Sequence, residues 1–88
     1  MEPEEVARWM LTQIENRDCI YHDDVVDYLV KFKADHLLRE NADGNLAVGL
    51  AVLNAFKVIT TTNVVWVKPD RYWRFRVPED EPGREARG

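Results

Sequence analysis

An α+β fold of winged-helix-like topology is what this sequence predicts: three helices packed on a C-terminal two-stranded β-hairpin, with short extra strands. Three observations carry that expectation. Apolar residues recur at helical spacing in three separate stretches. The stretch Val64–Arg76 reads Val-Val-Trp-Val-Lys-Pro-Asp-Arg-Tyr-Trp-Arg-Phe-Arg, two β-prone runs around a Pro69-Asp70 turn pair. The resulting order is helix, short strand, helix, helix, hairpin, which is that of a winged-helix domain with Val64–Val77 as its wing. At 88 residues the chain makes one domain with a modest core. Residues 1–78 form that domain, and residues 79–88 read as an acidic, flexible tail.

The first helix is expected over Pro3–Asn16. Pro3 suits a first helical turn, and Glu4 and Glu5 suit its positive end. Val6, Trp9, Met10 and Ile14 form the buried stripe, with Leu11 widening it. Cys19-Ile20-Tyr21 is short and β-prone. Asp23 is a good N-cap for a second helix through Val25, Val26, Leu29 and Phe32, ending near Lys33. His36–Glu40 is expected to be extended, and Asn41–Asn45 to turn. The third helix runs from Ala47 to Val58 with Val48, Val52, Leu53 and Phe56 on one side. Trp9, Trp66, Trp73 and Phe56 are the expected core aromatics.

Hairpin register decides what its faces offer. With Pro69-Asp70 as a two-residue loop, Trp66 lies opposite Trp73 and Val64 opposite Phe75, which gives a core face. Val65, Val67, Tyr72, Arg74 and Arg76 then share the outer face. If Arg71 were a third loop residue in the left-handed region, pairing would slip by one, and arginine there costs about 1 kcal/mol. The first register is the one expected.

Net charge is −4, which argues against a protein that coats nucleic acid or anionic lipid non-specifically. The charge is uneven: residues 1–63 carry −5, whereas Lys68–Arg76 holds four cations against Asp70 alone. A basic patch sits on an acidic body. No apolar run approaches the ~20 residues needed to span a bilayer, and the acidic start is unlike a signal peptide. A single cysteine, Cys19, leaves no internal disulfide and fits a reducing compartment, so a cytoplasmic setting is expected.

The segments Val6-Ala7-Arg8-Trp9-Met10-Leu11, Gly44-Asn45-Leu46-Ala47, Val64-Val65-Trp66, Tyr72-Trp73-Arg74 and Asp80-Glu81-Pro82-Gly83-Arg84, in that order, resemble a family of short, uncharacterised bacterial proteins. Its members end in a Trp-containing hairpin followed by Asp-Glu-Pro-Gly-Arg. The resemblance covers nearly the whole chain and implies a compact cytosolic bacterial domain. It implies no activity, cofactor or catalytic residue.

A DNA-reading third helix would show hydrogen-bonding groups to base edges and cations to phosphates. Here Leu46–Ile59 offers only Lys57 and Asn54. About a dozen residues also separate the second and third helices, where a helix-turn-helix uses three or four. Nucleic-acid binding through a basic wing is therefore the alternative rather than the leading reading. The outer hairpin face, Val65, Val67, Tyr72, Arg74 and Arg76 with Arg71 at the loop, has the Tyr/Arg composition that carries protein interfaces. The expected function is a non-enzymatic binding module whose partner is another protein or a second copy. Cys19, His22, Asp23 and Asp24 are the one cluster of reactive groups, and they lack a complete nucleophile, base and oxyanion set. Their ordinary reading is a buried Cys19, a surface His22 and a capping Asp23. No catalytic residue, metal site or cofactor is expected, since neither His22 nor His36 lies at ligand spacing.

Overall fold

The computed structural model describes residues 1–86. Its elements are α1 (Pro3–Arg17), β1 (Cys19–Tyr21), α2 (His22–Lys31), a 3-10 turn (Asp35–Leu37), β2 (Leu38–Glu40), β3 (Leu46–Val48), α3 (Leu50–Ile59), β4 (Val64–Val67), β5 (Tyr72–Phe75) and β6 (Glu85–Ala86). The class is α+β. The helix, strand, helix, helix, hairpin order is kept, with a small β2–β3 hairpin inserted between α2 and α3.

Helix α1 begins as its sequence dictates, with Pro3 in the first turn and the Glu5 carboxylate accepting the Glu2 N–H at 3.1 Å. It buries Val6, Ala7, Met10 and Ile14 and packs chiefly on α3. Asp18 ends it in the left-handed region (φ 72°), donating its N–H to the Ile14 carbonyl at 2.8 Å. That reversal feeds β1. Trp9, expected in the core, lies at its rim, stacked on Tyr28 with ring centroids 3.8 Å apart. Its position between the buried stripe and solvent leaves one face of the indole for an aromatic neighbour.

Helix α2 starts at His22 with Tyr21 as its cap, so Asp23 is not the N-cap residue. Asp23 and Asp24 instead occupy the first turn, where carboxylates suit the helix dipole. His22, expected on the surface, is only 7% exposed.

The third helix starts at Leu50, three residues after its expected beginning, because Leu46–Val48 is claimed by a strand. Leu38 pairs with Val48 and Glu40 with Leu46, across a turn fastened by Asn41. The Asn41 Oδ1 accepts the N–H groups of Asp43 (2.9 Å) and Asn45 (3.0 Å). Gly49 then caps α3. A β-carbon there would stand 2.5 Å from the Leu37 carbonyl oxygen, so only glycine lets the two backbones meet.

The main sheet runs β1-β5-β4-β6. Strands β4 and β5 pair antiparallel with Trp66 opposite Trp73 and Val64 opposite Phe75, the expected register. Its loop differs from the expected two residues. Lys68–Arg71 forms a four-residue turn in which Arg71 adopts φ 58° and donates its N–H to Val67 at 2.8 Å. A left-handed Arg71 thus occurs without a register slip, because Lys68 joins the loop as well. Of the loose tail expected over residues 79–88, residues 79–86 lie back on the hairpin, and residues 87–88 fall outside the described residues. Strand β6 runs parallel to β4, with Trp66 beside Glu85. Phe56 and Trp73 are core residues at 1% and 6% exposure, and Trp66 is half-buried against them.

Candidate functional site

The six residues expected on an outer binding face have four different fates. Val65 and Val67 are fully buried, so they offer a partner nothing to touch. Arg74 forks onto Asp80, with Nη1 and Nη2 donating to the two carboxylate oxygens at 2.9 and 2.8 Å. Arg76 donates to the carbonyls of Thr62, Glu81 and Gly83. These two arginines hold residues 79–86 on the hairpin. Tyr72 remains half-exposed, packed on Tyr21 with ring centroids 5.1 Å apart. Arg71 turns to the other face.

On that other face, α3 and the hairpin line an open cavity of about 470 Å³. Helix α3 presents Leu50, Leu53, Asn54 and Lys57 along one stripe, spaced as one helix face must be. The hairpin contributes Trp66, Trp73 and Arg71, the β2–β3 unit Arg39, Asn41 and Ala47, and the C-terminal segment Arg84. The floor is aromatic. Trp73 meets Phe56 edge-on at 5.6 Å and Trp66 at 4.6 Å, and the His22 ring lies 6.2 Å from Trp66.

Four cations stand around this floor, and the lining includes no carboxylate. Arg39 is anchored by Nε, which donates to the Val48 carbonyl at 3.1 Å. Arg84 is anchored on Thr60, donating to its carbonyl at 2.7 Å and to its hydroxyl at 3.2 Å. Its pKa is lowered by burial and then by the neighbouring Arg76 charge. Among the described residues, Lys57 and the Asn54 amide make no hydrogen bond through their side chains, and no acid lies within ion-pair distance of any of the four cations. In a chain with sixteen acids and twelve Lys/Arg, a cavity rim that gathers four cations and no acid is a local inversion of the overall charge.

His22 sharpens the inversion. Its Nε2 faces the buried Val48 N–H at 3.3 Å, and an amide can only donate, so Nε2 carries the lone pair. The proton of the neutral ring therefore resides on Nδ1, which faces the Arg71 Nη2 at 3.1 Å. With that tautomer both groups present hydrogens across the contact. Asp23, 87% exposed and 3.7 Å from Nδ1, is too far for a hydrogen bond. Burial first, and the Arg71 charge second, lower the His22 pKa below 6.5, so the ring is neutral at pH 7.

Of the expected residues, only Arg71 belongs to this site. His22, Arg39, Asn41, Asn54, Lys57 and Arg84 come from four separate parts of the chain. The one signal for any of them was that Lys57 and Asn54 interrupt an otherwise apolar helix. Among the described residues, no group of three His, Cys, Asp or Glu side chains could hold a metal ion, and no helix is long and apolar enough to cross a membrane.

A protein-family model described as "Family of unknown function (DUF6953)" matches residues 2–75. The match ends at Phe75, before Asp80–Arg84, so it does not bear on the Asp-Glu-Pro-Gly-Arg motif. No curated protein and no solved structure matches the chain.

Proposed function

The chain belongs to this family of unknown function, DUF6953, and within it we propose that the domain is a non-catalytic binding module that seats an anionic ligand in the cavity between α3 and the hairpin. One observation carries the reading: Arg39, Lys57, Arg71 and Arg84 converge on a concave aromatic floor with no carboxylate among them. Like charges gathered without counter-ions repel, whereas pairing them with the surplus acids would relieve that repulsion. An anion supplies the missing partner. The volume lies within the range of small-molecule sites. A cytoplasmic, bacterial setting goes with this reading, in line with the single cysteine and the sequence resemblance.

The test is thermal unfolding in inorganic pyrophosphate against sodium chloride at matched ionic strength. A ligand that binds only the native state raises the midpoint by mass action, equivalent to about 2.7 kcal/mol at a hundredfold excess over Kd. The shift should disappear in Lys57→Glu, whose side chain is exposed and whose fold is kept. An equal shift in wild type and variant, or none in either, overturns the reading.

A second reading keeps a protein partner or second copy on the outer hairpin face, with Tyr72, Arg74 and Arg76 in contact. It is favoured by the bidentate Arg74–Asp80 pair, because an acidic peptide would use the same fork after displacing residues 79–86. A nucleic-acid role through a winged-helix arrangement draws support from the strand order β1-β5-β4 alone. Helix α3 offers only Asn54 and Lys57 as polar groups, which counts against it.

A further inference from the structure

Resting on the anion reading above, we infer that the ligand is a nucleotide: a planar base on the aromatic floor, with its phosphate chain among the cations. A bare inorganic anion would use the cations and leave the floor idle. Yet much of the lining is apolar or aromatic, with Leu50, Leu53, Phe56, Trp66 and Trp73 facing the same space as the charges. Half-buried Trp66 is held in place by Trp73 on one side and the His22 edge on another, so its exposed surface is a rigid platform. Such a platform suits stacking, which every base accepts through its π-face.

Dimensions agree. From Leu50 to Lys57 the α3 wall extends two turns, a rise of about 10 Å, long enough for a ring and a phosphate chain placed end to end. Arg84, tied to Thr60 just beyond α3, sits toward the Lys57 end, and these two cations form the phosphate pole. Asn54 lies one turn before Lys57 with its amide uncommitted among the described residues. One donor and one acceptor there match a base edge or a ribose hydroxyl. The charge count favours more than one phosphate, since four cations exceed what a monophosphate neutralises.

A long polyanion fits less well. The body outside the hairpin carries −5 over residues 1–63, which repels a chain extending past the cavity. A compact ligand meets only the basic rim.

The experiment is calorimetric titration of the protein with ADP, GDP, CDP, UDP, inorganic pyrophosphate, adenosine and a short single-stranded oligonucleotide, with tryptophan fluorescence followed in parallel. At least one nucleoside diphosphate should bind about tenfold or more tightly than pyrophosphate and quench tryptophan emission, as stacking on Trp66 requires. Trp66→Leu should abolish that advantage while keeping pyrophosphate affinity, and Lys57→Ala should weaken both. Asn54→Ala, on an exposed position, should lower nucleotide affinity alone and serves as the second variant if Trp66→Leu folds poorly. Pyrophosphate binding as tightly as every nucleotide would overturn the nucleotide inference and leave an anion site standing. Absence of binding by both would overturn the anion reading itself. An oligonucleotide bound more than tenfold tighter than any nucleotide would overturn the inference in favour of a polymer.

Discussion

Truncating Trp73 to alanine tests whether the hairpin is the keystone of the core. Trp73 is 6% exposed. It lies between Ile20 of β1 and Trp66 of β4, and meets Phe56 of α3 edge-on at 5.6 Å. Removing the indole forfeits burial of about 200 Å² at about 25 cal/mol per Å², or about 5 kcal/mol. Prior burial in the unfolded chain reduces that figure, and the cavity left behind restores part of it. The expected cost is about 3–5 kcal/mol. A domain of this size has a total stability of about 4–13 kcal/mol, so the variant should keep little margin. Urea unfolding followed by far-UV circular dichroism gives the difference directly, with Trp73→Phe expected to lose about 1–2 kcal/mol as an intermediate step. Trp66→Ala, at a half-exposed position, should cost about half as much as Trp73→Ala. If Trp73→Ala costs under about 1 kcal/mol, or Trp66→Ala costs more, the assignment of core and cavity faces is wrong.

Gly49→Ala should cost about 2 kcal/mol or more by chemical denaturation, since its β-carbon meets the Leu37 carbonyl oxygen. Gly44→Ala, in open space at φ 79°, should cost only about 1 kcal/mol, and equal costs would refute the close-approach account. The lowered His22 pKa makes a pH prediction: the unfolded state takes up the proton first, so stability is full above about pH 6.5 and declines as pH falls toward the lowered folded value. His22→Gln should flatten that slope, which reaches at most about 1.4 kcal/mol per pH unit for one proton, and identical slopes between pH 7.5 and 5 would contradict it. Arg74 holds the Asp80 carboxyl down to about 2, so the clamp is complete above the ordinary value of 3.8 and is lost as pH falls through 2. Asp80→Asn should speed hydrogen exchange at the Trp66 amide, which donates to the Arg84 carbonyl, and unchanged protection would show that the segment docks without the clamp.

Local signals explain which parts of the fold were legible. Pro3 with two glutamates, and the spacing of Val6, Met10 and Ile14, determine α1 almost without tertiary help. The hairpin register follows from the Trp/Trp and Val/Phe alternation, since a slip would expose the whole set. Leu46–Val48 could not be read locally, because three apolar residues before a helical stripe fit helix or strand equally. Their strand state is decided by Leu38–Glu40 across the Asn41 turn. The burial of His22 has the same origin: its partners, Val48 and Arg71, are distant in sequence. The pairing on the outer face was illegible for a different reason. Alternation correctly put Arg74 and Arg76 on the outer face, but charge counting could not show that Asp80 lies within reach of Arg74.

The C-terminal segment links the two faces of the hairpin. Its acid, Asp80, neutralises Arg74 on the outer face, and its carbonyls at Glu81 and Gly83 occupy Arg76. Its cation, Arg84, passes to the cavity side and adds the fourth positive charge there. One stretch of chain therefore removes charge from the face with the interface-like composition and adds it to the face with the concave aromatic floor. An arginine anchored on Thr60 is also already ordered, so a ligand meeting it forgoes less of the side-chain entropy that a free arginine would lose on binding. Of the four cations around the aromatic floor, Arg39 and Arg84 are the two that the protein itself holds in place.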